Sequence, residues 1–150
     1  MAVMLCALPA LGQDSVTDAT DVAKLQAAAQ GGDPDAQYNL GTLYQQGDVV
    51  PQNDVKAVYW FRKSADQGDP DGEYALGFAY RGGFGVPMDR ELSYMWFDIA
   101  ARAGNEDAAN MRSAVAELMT YAQINEARGL AKSWKPGTND ALLRTSDEAQ

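Results

Sequence analysis

Residues 32–47 read Gly-Asp-Pro-Asp-Ala-Gln-Tyr-Asn-Leu-Gly-Thr-Leu-Tyr-Gln-Gln-Gly, and residues 68–83 read Gly-Asp-Pro-Asp-Gly-Glu-Tyr-Ala-Leu-Gly-Phe-Ala-Tyr-Arg-Gly-Gly. They are one motif, repeated at an interval of 36 residues. Aligned without a gap, residues 32–67 and 68–103 agree at 14 of 36 positions. A fixed period of this size is the signature of a repeat architecture. The identities continue through Val50/Val86, Pro51/Pro87, Trp60/Trp96, Phe61/Phe97 and Ala65/Ala101, and Gly104 opens a third unit at the same spacing.

The shared residues predict two helices per unit. Asp33/Asp35 and Asp69/Asp71 suit a helix N-terminus, where carboxylates accept the free backbone N–H groups and oppose the macrodipole. Pro34 and Pro70 belong in a first turn. Tyr38, Gly41 and Tyr44 then fall at near-helical spacing with Leu40 beside them, and Tyr74, Gly77, Tyr80 and Leu76 repeat the pattern. A glycine inside a helix costs about 1 kcal/mol against alanine. Its recurrence at 41 and 77 implies a neighbour packed too closely for a β-carbon. Gly47 and Gly83 end these first helices, and Asn53 and Asp89 are natural caps for the second. The second helices carry Ala57, Trp60, Phe61 and Ala65 in one unit, and Ser93, Trp96, Phe97, Ala100 and Ala101 in the other. Gly68 and Gly104 close them.

These residues, from Ala36-Gln37-Tyr38-Asn39-Leu40-Gly41 through Tyr44, Gly47, Val50, Asn53, Ala57, Trp60, Phe61, Lys63, Ser64-Ala65 and Gly68, resemble the Sel1-like repeat, a tetratricopeptide-like family. The resemblance is close over 33–104 and looser from about 20 to 134. It implies an all-α fold: a short α/α superhelical solenoid of Sel1-like helix-turn-helix repeats with helical caps. Two departures stand out. The family turn Gly-x-Gly-Val survives as Gly83-Phe84-Gly85-Val86, but the first unit has Val49 where the second glycine belongs. A β-branched residue resists positive φ, so that turn should be rebuilt or strained. Where the family has alanine near the start of the first helix, the second unit has Gly72.

The flanks complete the organisation. Residues 1–12 are apolar, too short to span a bilayer, and fit the core of a secretory signal peptide. The usual positive n-region is missing, and the alternative is an apolar N-terminus on a cytosolic protein. Residues 13–19 read as a polar linker, and 20–134 as the repeat domain. Within it, Leu25 and Ala29 stand where Phe61 and Ala65 stand, marking a half-repeat before the full repeats 32–67 and 68–103. Residues 104–134 read as a degenerate C-terminal cap. Ala108, Met111, Val115 and Leu118 form one stripe; Thr120 to Gln123 is a capping box opening a helix with Ile124, Ala127, Ala131 and Trp134 on one face. Residues 135–150 read as a disordered tail.

Composition narrows the chemistry. Net charge is −9, which repels phosphate backbones and anionic lipid alike; neither nucleic acid nor a membrane span is expected. The single cysteine, Cys6, forbids an intrachain disulfide, and histidine is absent. The commonest general base and the commonest zinc ligand are therefore missing. The Asp33-x-Asp35 and Asp69-x-Asp71 pairs lack the further oxygen ligands of a calcium loop and read as caps. Ser64 and Lys63 are adjacent on a helix and point apart. Arg62, Lys63, Arg90 and Arg102 read as solvated helix residues. No catalytic residue, metal site or cofactor is expected, and the chain is read as not an enzyme.

A binding role remains. The resemblance implies a concave face lined by the first helices, where residues that vary between repeats read a partner. The positions are Tyr38, Thr42 and Gln45 in unit one, Tyr74, Phe78 and Arg81 in unit two, and Asn110 and Ala114 in unit three. Phe78 is either a contact or a filler between repeats, since Thr42 shows that the scaffold does without an aromatic there. The expected function is a protein–protein interaction or scaffold module of the bacterial cell envelope, periplasmic or secreted, holding a peptide or protein in that groove. The alternative is an envelope enzyme or carbohydrate-binding accessory acting on peptidoglycan or exopolysaccharide.

Overall fold

The computed structural model describes residues 19–137. Among these are seven helices and no strand: α1 (Ala19–Gln30), α2 (Pro34–Gln46), α3 (Asp54–Ala65), α4 (Pro70–Gly82), α5 (Arg90–Arg102), α6 (Glu106–Ala116) and α7 (Tyr121–Ser133). The signal-peptide reading (1–12) and most of the linker reading lie outside the described residues, as does the tail reading (135–150) from residue 138 on; α1 begins at Ala19.

The helix ends follow from the repeated side chains. Asp33 accepts hydrogen bonds from the backbone N–H groups of Asp35 (3.0 Å) and Ala36 (3.2 Å), and Asp69 repeats this with Asp71 and Gly72. Asn53, Asp89 and Asn105 cap α3, α5 and α6, and Thr120 with Gln123 completes a reciprocal capping box on α7. Such a cap contributes about 1 kcal/mol. The seven residues between α2 and α3 close with Asn53 N–H donating to the Tyr44 carbonyl, and those between α4 and α5 with Asp89 N–H donating to that of Tyr80.

The turn containing Val49 is rebuilt, not strained: every residue at positive φ among those described is a glycine. Gly85, the glycine Val49 replaces, has φ +69° and lies so close to α3 that an added β-carbon would meet the Asp54 carbonyl at 2.3 Å. In the first turn Val49 is 38% exposed and does not adopt positive φ.

Consecutive helices pack pairwise from α1 to α6. Leu40, Phe61, Leu76, Trp96 and Phe97 are fully buried between them. A β-carbon on Gly41 would stand 2.6 Å from the Phe61 ring, and one on Gly77 2.6 Å from that of Phe97. Gly77→Ala should therefore cost about 1–3 kcal/mol, measured as a lowered urea midpoint with unchanged m-value. Gly72 has a comparable reason. Its added β-carbon would fall 2.5 Å from Ser64 Oγ. In the neighbouring joints the same pair of positions holds Ala28 with Ala36, and Ala100 with Ala108. The larger Ser64, which donates its hydroxyl to Asp69, requires the smaller partner.

The C-terminal helices depart from expectation. Helix α7 pairs with α5, not with α6, and brings Trp134 edge-on to Trp96 with ring centroids 5.3 Å apart. As a result α5 is buried on every side, from Ser93 to Ala100. Leu118, expected in the α6 stripe, lies beyond the end of α6 and is 67% exposed; Met119 packs into the core in its stead. The short link from 117 to 120 turns the chain away from α6 before Leu118 can reach the interior.

Polar groups tie these layers together. The buried carboxylate of Asp98 pairs with Arg102 one turn on and with Arg112 of α6 (2.8 Å). The reading of Arg102 as merely solvated is thus corrected. So is that of Arg62, at the repeat position of Asp98: it is half-buried and hydrogen-bonds the Tyr80 hydroxyl. At the same two positions, unit one has Arg62 and Asp66 where unit two has Asp98 and Arg102, an exchange of sign within the pair. Asp98→Asn should lower stability by about 1–2 kcal/mol, since both arginines are partly exposed and recover water. The check is an unfolding curve at 0.1 M and 1 M salt, with the difference between variants smaller at high salt.

Candidate functional site

The first helices α2, α4 and α6 stand side by side and form one continuous face. Tyr38 of α2 lies in the field of Asp71, Asp69 and Tyr74 on the next unit. Asn105 donates to Asp71 (3.2 Å) across the following joint, and Arg81 reaches Met111 of α6.

Of the residues expected on this face, Tyr38 and Tyr74 are half-buried and form its floor. Their rings tilt against Phe61 (5.9 Å) and Phe97 (5.6 Å), so part of each belongs to the core. Burial pushes the Tyr38 phenol above its ordinary pKa, and Asp71 and Asp69 add to the rise while Thr42 opposes it. Thr42 is half-buried and donates its hydroxyl to the Tyr38 carbonyl (3.1 Å). Gln45 and Ala114 are half-buried, and Asn110 is exposed. Phe78 is 36% exposed and Arg81 is exposed.

One further residue joins the face from the turn, where the repeats differ as Asp48-Val49 against Phe84-Gly85, and was not among the expected groove positions on the helices. Phe84, 41% exposed, stacks on Phe78 with ring centroids 5.7 Å apart and planes 17° apart. The difference between Asp48 and Phe84 at one repeat position was the available signal. The stack depends on the turn folding back over α4, which a one-dimensional pattern does not show.

Elsewhere the carboxylates have structural work. Asp33, Asp69 and Asp89 cap helices, and Asp98 holds two arginines. A hollow of about 290 Å³ is bordered by Met88, Asp89, Arg90, Glu91 and Gln123. Asp89 there accepts from Leu92 N–H and Gln123 is engaged with Thr120, so paired free carboxylates do not converge in it. No cluster of three metal-ligating side chains occurs among the described residues. The arrangement offers shape, aromatic surface and one cation, which suits recognition better than bond-breaking.

A family model described as Sel1 repeat matches residues 34–69 and 70–105, the 36-residue units identified above with a two-residue offset. Among solved structures, the chain is similar to a protective antigen present in uropathogenic Escherichia coli strains and displaying an SLR fold. The two are 32% identical with a TM-score of 0.73, over 75% of this chain and 24% of that one. It is also similar to a Sel1 repeat protein from Oxalobacter formigenes, with 41% identity and a TM-score of 0.58 over 60% of this chain and 26% of the other. The chain thus spans about a quarter of the length of either relative. No curated protein matches it in sequence.

Proposed function

Through residues 34–105 this chain belongs to the Sel1 repeat family, and from that premise we propose that it is a protein-interaction module of the bacterial cell envelope, holding a peptide or protein against the face of α2, α4 and α6. Sel1 repeats generally serve as protein–protein interaction modules. The observation that carries the assignment to this face is the exposed Phe78–Phe84 stack beside Arg81, at positions where the first repeat has Thr42, Asp48 and Gln45. Residues shared by the two repeats form caps, turns and core. Residues that differ at exposed or half-exposed positions occur on both helices of the unit, and on the first helices the differences Thr42 against Phe78 and Gln45 against Arg81 set an exposed ring and a cation on one face. A scaffold that needs one set of residues to stack its repeats can vary the other to fit a partner.

The envelope location is supported by the apolar opening of the sequence, residues 1–12, and by a charge of −9 that disfavours nucleic acid. No helix among the described residues is long and apolar enough to cross a membrane. Cell fractionation checks the location: the protein is expected in the osmotic-shock fluid or the culture medium, shortened at its N-terminus. Recovery of the intact chain with cytosolic markers contradicts it. Sedimentation of the purified protein with peptidoglycan or exopolysaccharide, undiminished by Phe78→Ala, would shift the assignment from a protein partner to a polymer.

A further inference from the structure

The second repeat differs from the first by three changes that act together. Phe78 replaces Thr42, Phe84 replaces Asp48, and Gly82 replaces Gln46 at the same repeat positions. The Phe84 ring lies so close to Gly82 that an added β-carbon would stand 2.0 Å from it, and the ring also stacks on Phe78. Glycine in the last turn of α4 is therefore what admits the ring. The stack remains 36% and 41% exposed, and leaving apolar surface in water is unfavourable. The first repeat folds with none of the three residues.

Arg81 stands one turn along α4 from Phe78. Its guanidinium contacts the sulfur of Met111 at 3.5 Å, a weak acceptor, and takes part in no ion pair among the described residues. In a chain with 21 acidic and 12 basic residues, a cation left without a carboxylate beside an exposed aromatic stack is a specific arrangement. Arginine binds carboxylates through charge-assisted, often paired, hydrogen bonds. Rigid aromatics and arginine are also the residues that dominate binding energy at protein interfaces.

We propose that Phe78, Phe84 and Arg81 form one site for a peptide segment in which an aromatic side chain lies within a few residues of a carboxylate. The ring of the partner packs on the Phe78–Phe84 stack, and its carboxylate pairs with Arg81. This assignment rests on the reading that the first-helix face holds the partner, and adds the chemistry of what is held. Met111, on the far side of Arg81, sets the boundary of the site toward α6.

The test uses the full chain labelled with 15N and two peptides blocked at both ends, Gly-Ser-Phe-Ala-Glu-Ser-Gly and the same sequence with Lys in place of Glu. The Glu peptide is expected to shift the amides of residues 78–84 and 111, and to bind roughly tenfold more tightly than the Lys peptide. Arg81→Glu, at an exposed position, should invert that preference, and Phe78→Ala should weaken both peptides while leaving the circular dichroism spectrum unchanged. Equal binding of the two peptides, or shifts confined to other faces, overturns the proposal. If both bind equally along Tyr38 and Thr42, the first-helix face survives as a binding surface and the assigned chemistry does not. Failure of either peptide to bind anywhere at millimolar concentration also overturns it.

Discussion

Glu73→Gln is expected to stabilise the protein by several kcal/mol at pH 9 and by little at pH 4. Glu73 sits on α4 at the repeat position of Gln37 and is 2% exposed. Gln37 donates to the Ala29 carbonyl (3.0 Å) and accepts from Gln67 (2.8 Å). At the next joint the residue corresponding to Gln67 is Ala103, which offers no donor, and Glu73 Oε2 is buried without a hydrogen-bond partner. Burial first, and the neighbouring Asp69 second, push the Glu73 carboxyl up to about 8 from an ordinary 4.5. Between those two pH values the folded protein holds a proton that the unfolded chain has released. The contribution is therefore fully present below pH 4.5, declines by about 1.4 kcal/mol per pH unit, and is gone above pH 8. Glutamine keeps the shape, removes the titration, and supplies a donor for the Ala65 carbonyl at the corresponding place. Urea unfolding of both proteins from pH 4 to 9 checks this; parallel stability curves would contradict it.

Trp134→Ala is expected to destabilise by about 3–5 kcal/mol and to loosen one part of the molecule before the rest. Trp134 is 8% exposed, T-shaped against Trp96, and holds the end of α7 to α5. The same segment lays Pro136 near Gly68 at the joint between units one and two. Truncating Trp134 removes the aromatic pair and uncovers Trp96, Met95 and Ile99, which are buried in the wild type. In a linear stack, cooperativity falls off with distance from the lesion. Hydrogen exchange should then show lost protection in α7 first, followed by α5, with α2 and α3 least changed. A uniform loss along all seven helices would mean that α7 is part of one indivisible core.

Much of the fold was legible because a repeat states each physical requirement twice. Asp33 and Asp69 as caps, Gly41 and Gly77 as close contacts, and Phe61 and Phe97 as their partners could all be read from position. Where the repeat ends, legibility ends with it. Leu118 has the right helical spacing for the core and is exposed, because the direction of the link after α6 depends on where α7 docks. The exchanged pairs Arg62/Asp66 and Asp98/Arg102 were visible as letters. Their burial was not, since it requires Tyr80 and Arg112 to close over them. The same holds for the binding face. Phe78 and Arg81 were singled out by comparison of the repeats, whereas the Phe84 stack required the turn geometry and the glycine at 82.

A partner protein is expected to rest on the first helices and not on the second. Position 59 provides an internal control, because Tyr59 of α3 is 47% exposed, comparable with Phe78 on α4, and lies on a second helix. Site-specific photocrosslinking in the native cell, with a benzoylphenylalanine at 78, 110 or 59 in turn, distinguishes the two surfaces. One discrete protein adduct is expected from positions 78 and 110 and none from 59. An adduct from position 59 alone would contradict this expectation.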